Sequence, residues 1–171
     1  MNLALLSLHS SPLGRLGTKD TGGMSTYLLG LAEALGDAGH GVDLYTRAES
    51  GQETRVERVF TNVRLISLAD QLGPLSKYDL FRHVDLLAAA LEKYIRKEGL
   101  SYHCFFSHYW VSGAVGTSLS RTFSRPHLVM FHTLGRAKND ASAGENEPQL
   151  RLDAEAALAA EADLLIVAAP A

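Results

Sequence analysis

The chain has 171 residues, of which 46% are hydrophobic and 20% charged, with a formal net charge of −3. These values describe one ordinary soluble globular domain, long enough to bury a real core. They lend no electrostatic support to nucleic-acid binding, and a single cysteine, Cys104, excludes an internal disulfide and any multi-thiolate metal site.

The apolar run Leu3-Ala4-Leu5-Leu6-Ser7-Leu8 reads as a first strand, with no basic region before it of the kind a signal peptide carries. A long glycine-rich loop follows from His9 to Gly23, and a helix starts near Met24. In an open α/β sheet this loop falls at the carboxyl ends of the strands, where ligands bind. Adjacent glycines at a helix entrance let a backbone approach a ligand closely, and the free N–H groups there suit an anion.

Leu28, Leu31, Ala32 and Leu35 mark one face of that helix, which should end near Gly36–Gly39. Val42–Thr46 reads as the second strand. Two β-rich runs, Arg55–Phe60 and Val63–Leu68, flank Thr61-Asn62 and fit a hairpin or two short strands. Beyond Gly73 and Pro74, the spacing of Leu80, Val84, Leu87, Leu91 and Tyr94 or Ile95 predicts one continuous helix over 78–98, stopped at Gly99. Strands are then expected at His103–Ser107, His127–Phe131 and Asp163–Ala168, with helices over 111–121 and 149–161 between them. The small and acidic stretch Asp140–Glu147 reads as a mobile loop whose charge lies beside the site or outside it. Strands separated by helices imply right-handed crossovers and a Rossmann-like, mostly parallel sheet with helices on both faces.

Known nucleotide fingerprints fail on the first loop. The helix entrance reads Asp20-Thr21-Gly22-Gly23-Met24-Ser25, which is neither Gly-x-Gly-x-x-Gly nor a Walker A motif. Asp43 falls early in the second strand, whereas a ribose-binding acid belongs at its end, where Arg47 stands. A dehydrogenase is therefore not expected. No nucleophile–His–acid constellation and no glycosidase-type carboxylate pair is evident either.

Three ordered segments carry a family resemblance: His9-Ser10-Ser11-Pro12 with Asp20-Thr21-Gly22-Gly23-Met24, then Ser107-His108-Tyr109-Trp110-Val111-Ser112-Gly113, then His132-Thr133-Leu134-Gly135-Arg136-Ala137-Lys138-Asn139. Together they resemble the amino-terminal lobe of retaining, nucleotide-sugar-dependent glycosyltransferases of GT-B architecture (glycosyltransferase group 1, family 4). Within that group they are similar to the mycothiol-pathway N-acetylglucosamine–inositol-phosphate transferase and to sucrose-phosphate synthase. The resemblance implies two Rossmann-like lobes with a cleft between them. Residues 1–171 match the acceptor-side lobe, and the carboxy-terminal donor-binding lobe is absent from this chain.

The resemblance also implies roles. Gly22 and Gly23 match the loop beside the donor diphosphate, where backbone N–H groups can stabilise charge on the leaving phosphate. His132 is implied near the donor sugar, catalytic together with Gly23, and His9 on the donor side of the cleft. Lys77, Tyr109, Thr133 and Arg151 match positions that grip a phosphorylated acceptor, and Thr18, Lys19, Asp20 and Thr21 approach it. Arg136 and Lys138 belong to a Leu-Gly-Arg-x-Lys pattern that resembles the sucrose-phosphate synthase one, with both cations near phosphate groups. Cations plus hydroxyls are suitable chemistry for such an acceptor.

Structural alternatives stand beside these roles. Lys77 also reads as a solvated loop lysine, Arg151 as half of an intrahelical pair with Glu155, Trp110 as core, and the glycines as a plain helix-entry turn. A zinc site from His9, His108 and His132 matches no local metal signature and is not expected. No cofactor is expected beyond the nucleotide-diphosphate sugar as donor substrate. The expected partners are that nucleotide sugar, a small phosphorylated acceptor and the missing lobe, with no nucleic acid and no transmembrane segment. The single cysteine, read as a reduced core residue, suits a cytoplasmic location, and the lone lobe is expected to be inactive. The alternative is a non-catalytic sugar- or phosphate-binding module.

Overall fold

The computed structural model describes residues 1–13, 23–141 and 146–167. Its strands are β1 (Asn2–Leu6), β2 (Gly41–Arg47), β3 (Arg55–Phe60), β4 (Val63–Leu68), β5 (Cys104–His108), β6 (His127–Met130) and β7 (Leu164–Leu165). They form one sheet in the order β3-β4-β2-β1-β5-β6-β7, parallel except for the antiparallel β3–β4 pair. The helices are α1 (Gly23–Asp37), α2 (Lys77–Phe81), α3 (Val84–Lys97), α4 (Trp110–Phe123), α5 (Gly135–Ala141) and α6 (Gln149–Glu161).

Side chains alternate across a strand, so β1 feeds two cores. Leu3 and Leu5 join Leu28 and Ala32 of α1, with Val42, Leu44, Val63 and Leu65, on one face. Ala4 and Leu6 join Leu87, Leu91 and Ile95 of α3, Val111, Val115 and Leu119 of α4, and Leu158 of α6, on the other. Each fully buried leucine or isoleucine in these layers contributes about 2 kcal/mol of hydrophobic stabilisation. The expected arrangement of a mostly parallel sheet with helices on both faces is therefore observed.

Two expectations about local structure need correction. The helix over 78–98 is two helices, broken at Arg82–His83. Ser76 caps α2 by accepting from the Asp79 N–H, and the Arg82 N–H donates to the Asp79 carbonyl, which closes the short helix. The apolar periodicity runs through the break because Leu80 and Leu87 both face the same core. Secondly, the stretch Asp140–Glu147 is not one mobile loop throughout: Asp140 and Ala141 belong to the last turn of α5, and Glu147 is buried. The hairpin expectation holds, with Asn62 at φ 57° in its turn, and Gly99 at φ 61° follows α3 as its stop.

Because the strands are parallel, two ends of the sheet differ in chemistry. At the amino ends Arg64 donates two 2.7 Å bonds to Asp43, which also accepts from Tyr102 Oη at 2.6 Å. Tyr102 Oη lies 2.6 Å from Tyr45 Oη. Asp43 is thus consumed structurally, in line with the failed ribose-acid match. The carboxyl ends carry the remaining chemistry. Among the described residues no helix is long and apolar enough to cross a membrane.

Candidate functional site

The site is built from strand exits. The chain leaves β1 into His9, β5 into Tyr109 and β6 into His132, so three ring-bearing residues converge at the carboxyl edge of the sheet. Two of them pay in backbone strain. Tyr109 sits at φ 75° and His132 at φ 61°, a region unfavourable for residues with a Cβ. Such outliers persist only where the surroundings over-determine them, and they cluster at functional sites.

The rings form a connected patch. His9 stacks on Tyr109 with ring centroids 4.3 Å apart. His108 Nδ1 and His132 Nε2 are 3.0 Å apart in a hydrogen bond, and Tyr27 of α1 meets the His132 ring edge-on at 5.4 Å. Burial lowers all three histidine pKa values. His108 falls to about 3 through desolvation, then the neighbouring charges of His132 and His9. His9 also falls to about 3, through desolvation, then Lys77, His132 and Arg151. His132 is lowered by desolvation. The three are neutral imidazoles near neutral pH. His9 Nδ1 and His108 Nε2 are buried without a hydrogen-bond partner among the described residues.

Beside this patch lies a charged cluster. Lys77, the first residue of α2, donates to Tyr109 Oη at 3.2 Å. Arg151, wholly buried in α6, donates from Nε to Glu155 at 2.7 Å and from Nη2 to the Thr133 carbonyl at 2.8 Å and Thr133 Oγ1 at 3.1 Å. Its guanidinium carbon lies 4.9 Å from the centre of the Tyr109 ring. Gly135 makes room for it: a Cβ there would come within 3.2 Å of Arg151 Nε and 2.9 Å of Leu152 Cδ2. The Gly135 N–H donates to Glu155 at 2.8 Å, so the carboxylate that orients Arg151 also anchors α5.

Glu147 sits in the middle. It accepts from Tyr78 Oη at 2.5 Å and from Lys138 Nζ at 2.6 Å, with Arg151 Nη1 at 2.7 Å and Lys77 Nζ at 3.7 Å. Burial opposes its charge, but the Lys138 and Tyr78 hydrogen bonds and the charges of Arg151 and Lys77 prevail, holding its pKa down to about 2. Asn139 clamps the Glu147 backbone, donating to its carbonyl at 3.2 Å and accepting from its N–H at 2.6 Å.

Most of the expected residues that lie among the described ones are therefore assembled: His9, Lys77, Tyr109, His132, Thr133, Lys138 and Arg151 share one end of the sheet. Arg136 is not in the charged cluster. It lines an open, largely apolar cavity of about 740 Å³ with Asp140, Leu152 and Ala156. Gly23 is the exposed first residue of α1, with nothing within 4 Å of where a Cβ would stand. Thr18, Lys19, Asp20, Thr21 and Gly22 lie outside the described residues. Trp110 is core, its ring 4.6 Å from that of Phe81 and fully buried. For Arg151 the intrahelical pair with Glu155 is present, alongside the contacts to Thr133 and Glu147.

Residues not expected at the site are Glu147, Tyr78 and His108. Ser107 and His127 also hydrogen-bond, at 2.8 Å, but both are buried and sealed by Gly116, so this pair is structural. Among the described residues no group of three or more His, Cys, Asp or Glu could hold a metal ion.

A mostly parallel sheet with a charged cluster at its carboxyl edge defines an open α/β lobe whose ligand crevice lies at that edge. The sequence pattern of the glycosyl transferase 4-like domain matches residues 22–171, and the chain belongs to that family. It is 37% identical over 170 residues to the D-inositol 3-phosphate glycosyltransferase of Corynebacterium jeikeium, covering 98% of this chain and 41% of that protein. The Corynebacterium glutamicum protein of the same name is 36% identical over 172 residues, covering 98% and 41%. Sucrose-phosphate synthase from Thermosynechococcus elongatus superposes with a TM-score of 0.88 at 32% identity, over 99% of this chain and 42% of that one. The fold is thus that of a GT-B glycosyltransferase lobe, and the chain spans about two fifths of the length of its curated relatives.

Proposed function

We propose that this chain is the amino-terminal, acceptor-side lobe of a retaining glycosyltransferase. The enzyme moves a sugar from a nucleotide-diphosphate sugar to a hydroxyl of a phosphorylated sugar or polyol. The observation that carries the reading is the convergence of Lys77, Lys138 and the buried Arg151 with the hydroxyls of Tyr109 and Thr133, beside neutral His132. Arginine forks onto phosphate oxygens, lysines supply point charge and hydroxyls complete the shell.

In this reading the cluster holds the acceptor phosphate and aims a hydroxyl at the donor's anomeric carbon. His132 and His9 line the donor side, and Gly22 and Gly23 let backbone N–H groups reach the diphosphate. The unobstructed space at Gly23 supports that role, since no described residue comes within 4 Å of where a Cβ would stand. The acceptor attacks from the face the nucleotide leaves, through an oxocarbenium-like transition state, and the departing phosphate takes the proton. Preorganised donors at the leaving group carry such a reaction without a protein nucleophile or a cofactor. The donor-binding lobe lies elsewhere in the protein, the lone lobe turns nothing over, and the enzyme works in the cytoplasm.

The test is calorimetric titration of the chain with D-inositol 3-phosphate, fructose 6-phosphate and their unphosphorylated counterparts. Binding that requires the phosphate is expected. Equal affinity with and without the phosphate would favour a neutral-sugar binding module instead.

A further inference from the structure

The cations expected to hold an acceptor phosphate already hold an anion, and it is one of the protein's own. Glu147 touches Lys138, Arg151 and Tyr78 directly and lies within ion-pair range of Lys77. We propose that Glu147 is a resident stand-in for the acceptor's phosphate, occupying its seat in the empty site and yielding it only to a dianionic group. This rests on the reading of the cluster as an acceptor-phosphate seat.

Three observations carry it. First, the donor set around Glu147 exceeds what one carboxylate uses. Arg151 Nη1 is 2.7 Å from Glu147 Oε1, yet it is buried without a properly aligned hydrogen bond. The other two guanidinium nitrogens of this wholly buried arginine are fully engaged by Glu155 and Thr133. One donor of a locked arginine therefore faces the seat in ion-pair contact with Glu147 but without an aligned hydrogen bond. Second, the charges favour exchange. A phosphate monoester brings about −1.5 to −2 charge and three acceptor oxygens at neutral pH, against one charge and two oxygens for the carboxylate. A neutral polyol or a simple carboxylate has no such advantage. Third, the Glu147 backbone is anchored independently of its carboxylate. Asn139 holds its backbone at both the N–H and the carbonyl, so rotation of the side chain alone vacates the seat.

The consequence is selectivity. An occupied seat acts as a competing intramolecular ligand, and the apparent affinity of any incoming group is reduced by the fraction of molecules whose seat is open. Only ligands that gain more from the cations than Glu147 does can enter. Glu147 thus keeps singly charged anions out of the seat while leaving phosphate monoesters able to enter, and a neutral polyol gains nothing there whether the seat is open or filled.

The experiment is titration of the wild-type chain and its Glu147→Gln and Arg151→Met variants with inorganic phosphate, D-inositol 3-phosphate and inositol. Circular dichroism and thermal melting verify that each variant is folded. Removing the resident charge should tighten binding of both phosphate probes by roughly tenfold, as expected when a competing population is removed, and leave inositol unchanged. Equal or weaker phosphate binding by Glu147→Gln, with binding abolished in Arg151→Met, overturns the stand-in role and leaves the phosphate seat intact. Absence of phosphate-dependent binding in the wild type overturns both. A second readout needs no stable variant at this position: on saturation of wild-type chain with D-inositol 3-phosphate, the Glu147 side-chain carboxyl carbon should move in ¹³C NMR to the position of a free glutamate. An unmoved resonance overturns the proposal.

Discussion

His108 and His132 are joined by a 3.0 Å hydrogen bond that couples a fully buried ring at the end of β5 to a strained residue beyond β6. One ring must donate and the other accept. His108 Nε2 is buried without a partner among the described residues, and an orphaned N–H there would cost more than placing the proton on Nδ1, where it has an acceptor. His108 is therefore the Nδ1–H tautomer, and His132, accepting at Nε2, carries its proton on Nδ1. Long-range ¹⁵N–¹H spectra of the imidazoles at neutral pH should show both rings as Nδ1–H. An Nε2–H signal from His132 would contradict this and remove its capacity to donate from Nδ1.

The same burial makes the fold acid-sensitive. His9 and His108 have folded pKa values of about 3 against an ordinary 6.5, so the unfolded chain takes up their protons first as pH falls. Stability is fully present above pH 6.5 and is lost between 6.5 and about 3, at up to about 1.4 kcal/mol per pH unit for each histidine. Glu147 adds loss in the same direction below its ordinary 4.5, down to about 2. Melting temperature should decline steadily from pH 6.5 to 4, and less steeply in His108→Gln. A flat profile would mean that these rings are solvated.

Arg151 is the charge on which the cluster depends. Arg151→Met leaves Glu155 buried without its ion-pair partner and removes one of the cations on Glu147, and should cost about 3–5 kcal/mol in urea unfolding. Arg151→Lys keeps a charge but cannot reach Glu155, Thr133 and Glu147 together, so it should recover only part of that loss. Full recovery by lysine would show that charge alone, and not the fork, holds the site.

Gly116 is required by contact. A Cβ there would stand 2.1 Å from Ser107 Oγ and 2.3 Å from His127 Nε2. Gly116→Ala should therefore destabilise the chain by about 1–3 kcal/mol, despite the better helix propensity of alanine. Ser124 offers the opposite sign, since it ends α4 at φ 51°. Ser124→Gly relieves that conformation and should stabilise by about 0.5–1 kcal/mol in the same unfolding assay.

What could be read in advance follows from the range of each interaction. The apolar run Leu3–Leu6, the helical spacing of Leu87, Leu91 and Ile95, and the turn residues Asn62 and Gly99 are local signals, and each appears where expected. The break between α2 and α3 is also local, in the turn that the Arg82 N–H closes onto the Asp79 carbonyl, but continuous apolar spacing conceals it. Lys77, Tyr109, Thr133 and Arg151 were legible only through resemblance, because no spacing brings residues from four elements together. Glu147 lies in a polar, acidic stretch that reads as solvated. Its burial depends on Asn139, Tyr78 and Lys138, partners up to 69 residues away. His108 was visible in its motif, yet its bond to His132 arises from the pairing of β5 with β6.

The central claim is that one charged cluster at the carboxyl edge receives a phosphorylated acceptor. Amide and side-chain NMR of the chain during titration with D-inositol 3-phosphate tests it most directly. The account predicts saturable shifts at Lys77, Tyr109, Thr133, Lys138, Glu147 and Arg151, with Asp43, Arg64 and Tyr102 at the opposite end unmoved. Shifts centred on Asp43 and Arg64, or none at millimolar ligand, would contradict it.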